Sequence, residues 1–383
     1  MKNITPALVY VGTDDKTIDL FEGQYVVPHG ISYNSYILFD EKIAVFDTAD
    51  KRKTQEWLQN VETALGGKTP AYLIISHMEP DHSASIAAFL QKYPNAIAVG
   101  NDKTFTIASR FFGDAIQNKL TVKDGDELSL GGHTLKFVFA PMVHWPEVMF
   151  TYETTEKILF SADAFGKFGT LDTEEEWTDE ARRYYLNIVG KYGNSVQAVL
   201  KKAATLDIQT ICPLHGPMLT DNLGYYLEKY DVWSSYRAEE QGVLIAYASI
   251  YGNTAQAALK LAELLREKGV KVTVRDLARD DMAQTLSDAF RYDKLVLASV
   301  TYDAGLFPYT ETFLTRLKSK NYQKRKVALI ENGSWAPAAA RLMRTKLEEM
   351  KDITFAQTTV TIPSAVHDET LSALSDLAKE LSE

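Results

Sequence analysis

From residue 243 to its end the chain repeats one rhythm five times: a short apolar run of β-forming residues, then an amphipathic stretch. The run 243–248 leads through a glycine-containing loop into 255–268. The run 270–275 precedes a helical pattern at 282–290, 294–299 precedes 310–318, and 326–330 precedes 337–350. The run 353–359 and a final helix from about Asp368 close the series. Strands that alternate singly with helices have little choice of architecture. They predict a doubly wound α/β domain on a parallel sheet.

Residues 1–240 follow another grammar. The runs 35–39 and 43–47 predict two strands across the turn Asp40-Glu41-Lys42. A compact strand is expected at 72–76, a helix at 84–92, and a hairpin of 128–130 with 135–140 bent at Gly131-Gly132. Further strands are expected at 158–161 and 210–213. This mixture predicts an α+β domain with helices packed on sheets. The change of rhythm puts the boundary near 238–242, with Glu239-Glu240-Gln241-Gly242 as a short linker, so two domains are expected, 1–240 and 241–383. A hydrophobic share of 45% supplies apolar material for more than one core.

Some functions are disfavoured at once. The single cysteine, Cys212, allows no intramolecular disulfide framework and no zinc site of several cysteines. A net charge of −10 argues against nucleic acid as a partner. The first residues lack a signal-peptide pattern, and no stretch is long and apolar enough to span a bilayer, so the cytoplasm is expected.

The expected strand 72–76 runs into His77-Met78-Glu79-Pro80-Asp81-His82, four potential metal ligands in six residues. Alternate residues of an extended segment point the same way, so His77, Glu79 and Asp81 converge and a turn adds His82. Four such residues packed together favour a metal over a structural role. Three more candidates each follow a strand-like run: His144, Asp163 and His215. Loops at strand ends carry chemistry on a rigid scaffold. Taken singly, however, a histidine or aspartate there is more often structural. The residues alone leave Asp163 and His215 undecided.

The hexapeptide resembles the His-x-His-x-Asp-His signature of the metallo-β-lactamase superfamily, with Glu79 in place of the middle histidine. That substitution marks the flavodiiron proteins within the superfamily. The resemblance implies a metallo-β-lactamase-like αββα sandwich. It implies that His77, Glu79 and His144 hold one iron, Asp81, His82 and His215 a second, and that Asp163 bridges them. Carboxylate for imidazole makes a harder, more anionic site, which suits iron. Cys212 reads as a buried small hydrophobe rather than a ligand.

The second half carries its own constellation. Ser249-Ile250-Tyr251-Gly252-Asn253-Thr254 joins the first strand of the sheet to its helix. Backbone N–H groups and hydroxyls at a helix N-terminus cradle anions. The loop has no Gly-x-x-x-x-Gly-Lys and no Gly-x-Gly-x-x-Gly, so neither an NTPase loop nor a dinucleotide fold is indicated. Alone it also fits an ordinary turn and cap. Two further loops are Thr301-Tyr302-Asp303-Ala304-Gly305-Leu306 after the third strand and Asn332-Gly333-Ser334-Trp335 after the fourth. A sheet ordered 2-1-3-4-5 brings all three to one crevice, where Tyr302 and Trp335 can meet a planar ring. This half is similar to flavodoxin, which implies FMN.

Together the two similarities cover nearly the whole chain, in the order flavodiiron proteins use. They imply an oxidoreductase reducing dioxygen to water, nitric oxide to nitrous oxide, or both. The electrons come through FMN from an external donor such as rubredoxin. A head-to-tail homodimer, or a dimer of dimers, is implied too, because the flavin of one chain would lie beside the partner's irons. Two rivals stand beside this: a zinc hydrolase with a flavodoxin-like appendage, against which Glu79 speaks, and a non-catalytic FMN electron carrier, against which the full ligand set speaks. His29, His133 and His367 have no assigned role; solvated or structural positions are expected for them.

Overall fold

The computed structural model describes residues 2–383. It divides into two compact units: residues up to Tyr185 with Asn194–Asp231, and Leu186–Gly193 with Val232–Glu383.

The first unit is a pair of facing sheets. One has seven strands in the order Lys2–Asn3, Leu8–Tyr10, Tyr36–Leu38, Ala44–Phe46, Tyr72–Ile74, Ile97–Gly100 and Lys119–Thr121. The other has five, Glu127–Ser129, Thr134–Phe139, Met149–Glu153, Ile158–Phe160 and Thr210–Cys212. Inward side chains of both sheets make one core. Phe46 of the first lies flat on Phe160 of the second, with ring centroids 3.8 Å apart. Outside them, helix Thr54–Leu65 buries Trp57, Leu58, Val61 and Leu65, the stripe its apolar spacing dictates. This is the expected sandwich of helices and sheets. Cys212 is buried in its core, as a small hydrophobe should be.

Topology brings several strand ends of each sheet to one edge. Ala44–Phe46, Tyr72–Ile74 and Ile97–Gly100 run parallel, as do Ile158–Phe160 and Thr210–Cys212. The loops that follow are tied together. The Ser76 N–H donates to Asp47 Oδ1 at 2.7 Å, and the Leu214 N–H to the Ala162 carbonyl at 2.9 Å. The Met149 N–H donates to the Ser76 carbonyl at 3.0 Å and so joins the two sheets.

The second unit holds five parallel strands in the order Val272–Asp276, Glu240–Tyr247, Tyr292–Tyr302, Arg325–Asn332 and Ile353–Ile362, the expected 2-1-3-4-5. Helices Asn253–Glu267 and Asp368–Ser382 bury their apolar stripes on it through Leu261, Leu265, Leu374, Leu377 and Leu381. The expected linker is not one. Glu240 opens the first strand and pairs with Arg291 and Lys271, and the Gly242 N–H donates to Asp293 Oδ1 at 2.7 Å. The Leu186–Gly193 segment joins this unit through Tyr236, whose hydroxyl donates to the Gly190 carbonyl and accepts from the Gly193 N–H. Among the described residues no helix is long and apolar enough to cross a membrane.

Candidate metal and cofactor sites

His77 leaves the loop just after strand Tyr72–Ile74. Pro80 then opens a helical turn, Pro80–Ser83, because a proline at the first helical position sacrifices no hydrogen bond. Asp81 and His82 lie in that turn. Alternation along an extended segment therefore accounts for His77 and Glu79, but not for Asp81. His144 follows strand Thr134–Phe139, Asp163 follows Ile158–Phe160 and His215 follows Thr210–Cys212.

These seven side chains meet as two groups whose ligand atoms lie within 4.8 Å of one another: His77, Glu79, His144 and Asp163; and Asp81, His82 and His215. Asp163 faces both. Its Oδ2 is 3.3 Å from His77 Nε2 and 3.1 Å from His144 Nε2, while its Oδ1 is 3.2 Å from His82 Nε2 and 3.9 Å from His215 Nε2. Glu79 Oε2 stands 3.3 Å from His77 Nε2 and 2.9 Å from His144 Nε2. Asp81 Oδ2 stands 3.2 Å from both His82 Nε2 and His215 Nε2. Each group thus pairs two imidazoles with one carboxylate of its own and one oxygen of Asp163.

The surroundings decide which nitrogens face inward. His77 Nδ1 donates to Glu147 Oε1 at 2.8 Å and His215 Nδ1 to the Ser32 carbonyl at 2.6 Å, which leaves their Nε2 lone pairs turned to the centre. Burial opposes a charged His77, but Asp163 and then Glu147 and Glu79 outweigh it and hold its pKa well above the usual value. Burial likewise opposes charge on His144, and the facing carboxylates of Asp163 and Glu79 push it up to about 9. Asp163 goes the other way: burial disfavours its charge, yet His77, His144 and His82 hold its pKa well below the carboxylate range. The cluster attracts positive charge.

Its unanswered acceptors fit a cation. All four carboxylate oxygens of Asp81 and Asp163 are buried without a hydrogen bond, as is His82 Nδ1. The Nε2 atoms of His82 and His215 lie 3.0 Å apart. Buried acceptors are normally satisfied, so a set of lone pairs converging on shared space is the arrangement of ligands around metal ions. Two oxygens on one carboxylate, each aimed at a different group, suit a pair of ions.

The second unit has a cavity of about 740 Å³, within the range of small-ligand sites. All three expected loops reach it. Its lining includes Ser249, Ile250, Tyr251, Asn253 and Thr254 from the first; Thr301, Tyr302, Asp303 and Ala304 from the second; Asn332, Gly333, Ser334 and Trp335 from the third. Gly252, Gly305 and Leu306 are absent from it. Gly252 provides the bend, at φ +94°. Gly305 and Leu306 fold back on Tyr302 and Thr301 as a tight hairpin, with Asp303 and Ala304 at positive φ. Helix Asn253–Glu267 begins at the cavity with no side-chain cap, and the buried Thr254 hydroxyl has no partner. An uncapped helix N-terminus with a free hydroxyl fits a phosphate. Tyr251 and Trp335 are 92% and 91% exposed, broad faces left without packing.

Two family models match, one described as ODP family beta lactamase over residues 31–216 and one as Flavodoxin over 245–371. A solved flavodiiron protein from Giardia intestinalis superposes with a TM-score of 0.92 at 25% identity, over 99% of this chain and 96% of that one. The chain belongs to the flavodiiron proteins. An uncharacterised protein of Methanocaldococcus jannaschii is 31% identical over 317 residues, 81% of this chain and 80% of the relative. An anaerobic nitric oxide reductase flavorubredoxin of Vibrio vulnificus is 28% identical over 89% of this chain and 71% of its own length.

The cofactors of this flavodiiron protein are FMN and a pair of non-haem irons, and it is an oxidoreductase. Several site residues escape sequence reasoning. Glu22 sits on the turn of a hairpin, Leu20–Phe21 with Tyr25–Val26, at φ +49°. Phe21, its neighbour, meets the His215 ring edge-on at 5.5 Å. Glu22 is exposed at its surface side, but desolvation of its carboxyl and the nearby charge of Glu79 push its pKa up to about 7. Tyr184 packs on His215, with ring centroids 5.5 Å apart. In the cavity, Arg341 and Ser364 join the lining. No local pattern marks any of these; only the folded chain puts them near a site. The unassigned histidines stay outside: His133 Nδ1 bonds Asp40 Oδ2 at 2.9 Å, while His29 and His367 are exposed.

Proposed function

We propose that His77, Glu79 and His144 hold one iron of the flavodiiron protein, that Asp81, His82 and His215 hold the other, and that Asp163 bridges them. The observation that carries this is Asp163, with Oδ2 toward the first trio and Oδ1 toward the second. Ser249, Tyr251, Asn253, Thr254, Thr301, Tyr302, Asp303, Ala304, Asn332, Gly333, Ser334 and Trp335 are proposed to hold FMN. The Thr254 hydroxyl and the first turn of Asn253–Glu267 receive the phosphate, and the exposed faces of Tyr251 and Trp335 receive the ring.

The activity proposed is reduction of dioxygen to water, or of nitric oxide to nitrous oxide, with electrons from an external carrier such as rubredoxin. When bound, two adjacent irons supply Lewis acidity and electrons at one place, and FMN supplies an electron store. The chain's residues set the conditions. Glu79, Asp81 and Asp163 place three anionic donors among four imidazoles, a hard set that favours iron over zinc. The edges of Phe21 and Tyr33 lie against His215 and keep that side dry. Nδ1 of His77 and of His215 donates outward, so Nε2 is the nitrogen each ring turns toward the proposed iron positions. A homodimer in the cytoplasm belongs to the same proposal and rests on the family resemblance.

The test is to supply reduced rubredoxin anaerobically to the iron- and FMN-loaded protein, titrate each gas, and compare rates on one preparation. Consumption of either gas at several turnovers per second supports the proposal. Stoichiometric zinc, no iron and no gas consumption would sink it.

A further inference from the structure

The two trios are chemically matched, each with two imidazoles and one carboxylate of its own. Their outer bonds are not. His215 Nδ1 donates to a neutral backbone carbonyl, that of Ser32, and His82 Nδ1 has no partner. His77 Nδ1 alone among these three donates to a carboxylate, Glu147 Oε1, at 2.8 Å. That same oxygen accepts the Met78 N–H at 2.9 Å, so it fixes both the ring and the backbone that carries it. Glu147 is fully buried, and its backbone carbonyl is held by Asn101 Nδ2 at 2.6 Å. Trp145 closes the other side of the imidazole, perpendicular to it with ring centroids 5.3 Å apart.

We propose that Glu147 is the positioning residue of His77, and that it makes the ion position of His77, Glu79 and His144 the tighter of the two. This rests on the ligand assignment proposed above. A buried carboxylate on the far nitrogen fixes the tautomer, removes ring rotation and raises the basicity of the ligating nitrogen. A carbonyl does so less, and an absent partner not at all. The segment His144-Trp145-Pro146-Glu147 therefore serves the site twice: its first residue as a ligand, its last as the orienter of a ligand from another loop. Glu147 Oε2 is buried without a hydrogen bond, so the charge of Glu147 is answered mainly through the oxygen that faces His77.

The experiment is an anaerobic cobalt(II) titration of the metal-free protein, followed by absorption and calorimetry, on the wild type, Glu147→Gln and Glu147→Ala. The wild type takes up two ions with separable affinities. In Glu147→Ala the tighter affinity falls about 10- to 100-fold while the weaker stays within about threefold, and the cobalt absorption bands shift. Glu147→Gln keeps an acceptor for His77 and the Met78 N–H, so it recovers part of that loss; it also decides the matter should the alanine variant not fold, with circular dichroism as the check. The proposal is overturned if Glu147→Gln and any folded alanine variant keep both affinities and the spectrum, or if both affinities fall alike. If the wild type itself takes up fewer than two ions, the ligand assignment fails first. If it takes up two and the variants match it, only the role of Glu147 fails.

Discussion

The metal cluster and the cofactor cavity are built on opposite plans. The seven side chains of the cluster are almost all buried, come from four separate strand ends, and converge with their lone pairs unanswered. The cavity is lined by the loops after consecutive strands of one sheet and keeps its two widest aromatic faces bare. A cluster of charges out of water demands a fixed answer, so its residues are specific and few. A crevice at the switch point of a parallel sheet exists because of strand order, and many side chains can line it. Substitutions should therefore be all-or-none in the first and graded in the second.

The sharpest break is Asp163→Ala. It removes the one side chain that faces both trios, so iron per chain should fall to near zero and gas reduction by at least about 100-fold, beyond the loss typical of outer-shell changes. Iron analysis and turnover check it; retention of two tightly held irons would contradict the bridge. Next is Thr254→Val. Losing a hydrogen bond to a charged phosphate costs about 2 kcal/mol, so FMN should bind about 30-fold more weakly in a fluorescence titration, with iron content unchanged. Trp335→Ala should weaken FMN by only about 3- to 10-fold and move stability by less than about 0.5 kcal/mol, because the exposed ring packs on nothing in the chain.

The smallest effect lies away from both sites. Partial burial opposes charge on Asp40, but N–H donors of Gly132 and Glu41 and the side chain and backbone of His133 bring its pKa down to about 2. A carboxylate depressed in the folded state stabilises above its unfolded pKa of about 3.9 and loses that contribution as pH falls toward 2. Asp40→Asn should cost about 1 kcal/mol at neutral pH, discounted for solvent, and nearly nothing near pH 2. Urea unfolding at both pH values measures it. A cost that persists at low pH would show that shape, not charge, holds the turn.

Legibility in the sequence follows the same division. The five strand–helix alternations were legible as elements and as a parallel sheet, because period and length report burial directly. Strand ends were less visible: Tyr292–Tyr302 outruns its apolar centre at both ends, since ladder bonds continue through polar residues. The stretch before residue 35 was silent. Its strands, such as Thr13–Asp15 with Ile31–Tyr33, are two or three residues each, too short for a period. The linker expected at Glu239-Glu240-Gln241-Gly242 looked polar because Glu240 pairs with Lys271 and Arg291 while Glu239 accepts from the Trp233 indole.

By itself the sequence determined the strand–helix rhythm of the second half, the ligand-rich hexapeptide from His77 to His82 and the loops of the cavity, because ligand chemistry and hydrophobic period are properties of residue type and spacing; Asp163 and His215 entered only through the family resemblance. Only the tertiary structure decided that Asp81 reaches the site from a helical turn, and that Asp163 turns one oxygen toward each of the two groups the resemblance implies. It alone decided that Glu147 stands behind His77, 70 positions apart in the chain. Those facts depend on which strand ends share an edge, and sheet order is set by non-local burial that no local pattern records.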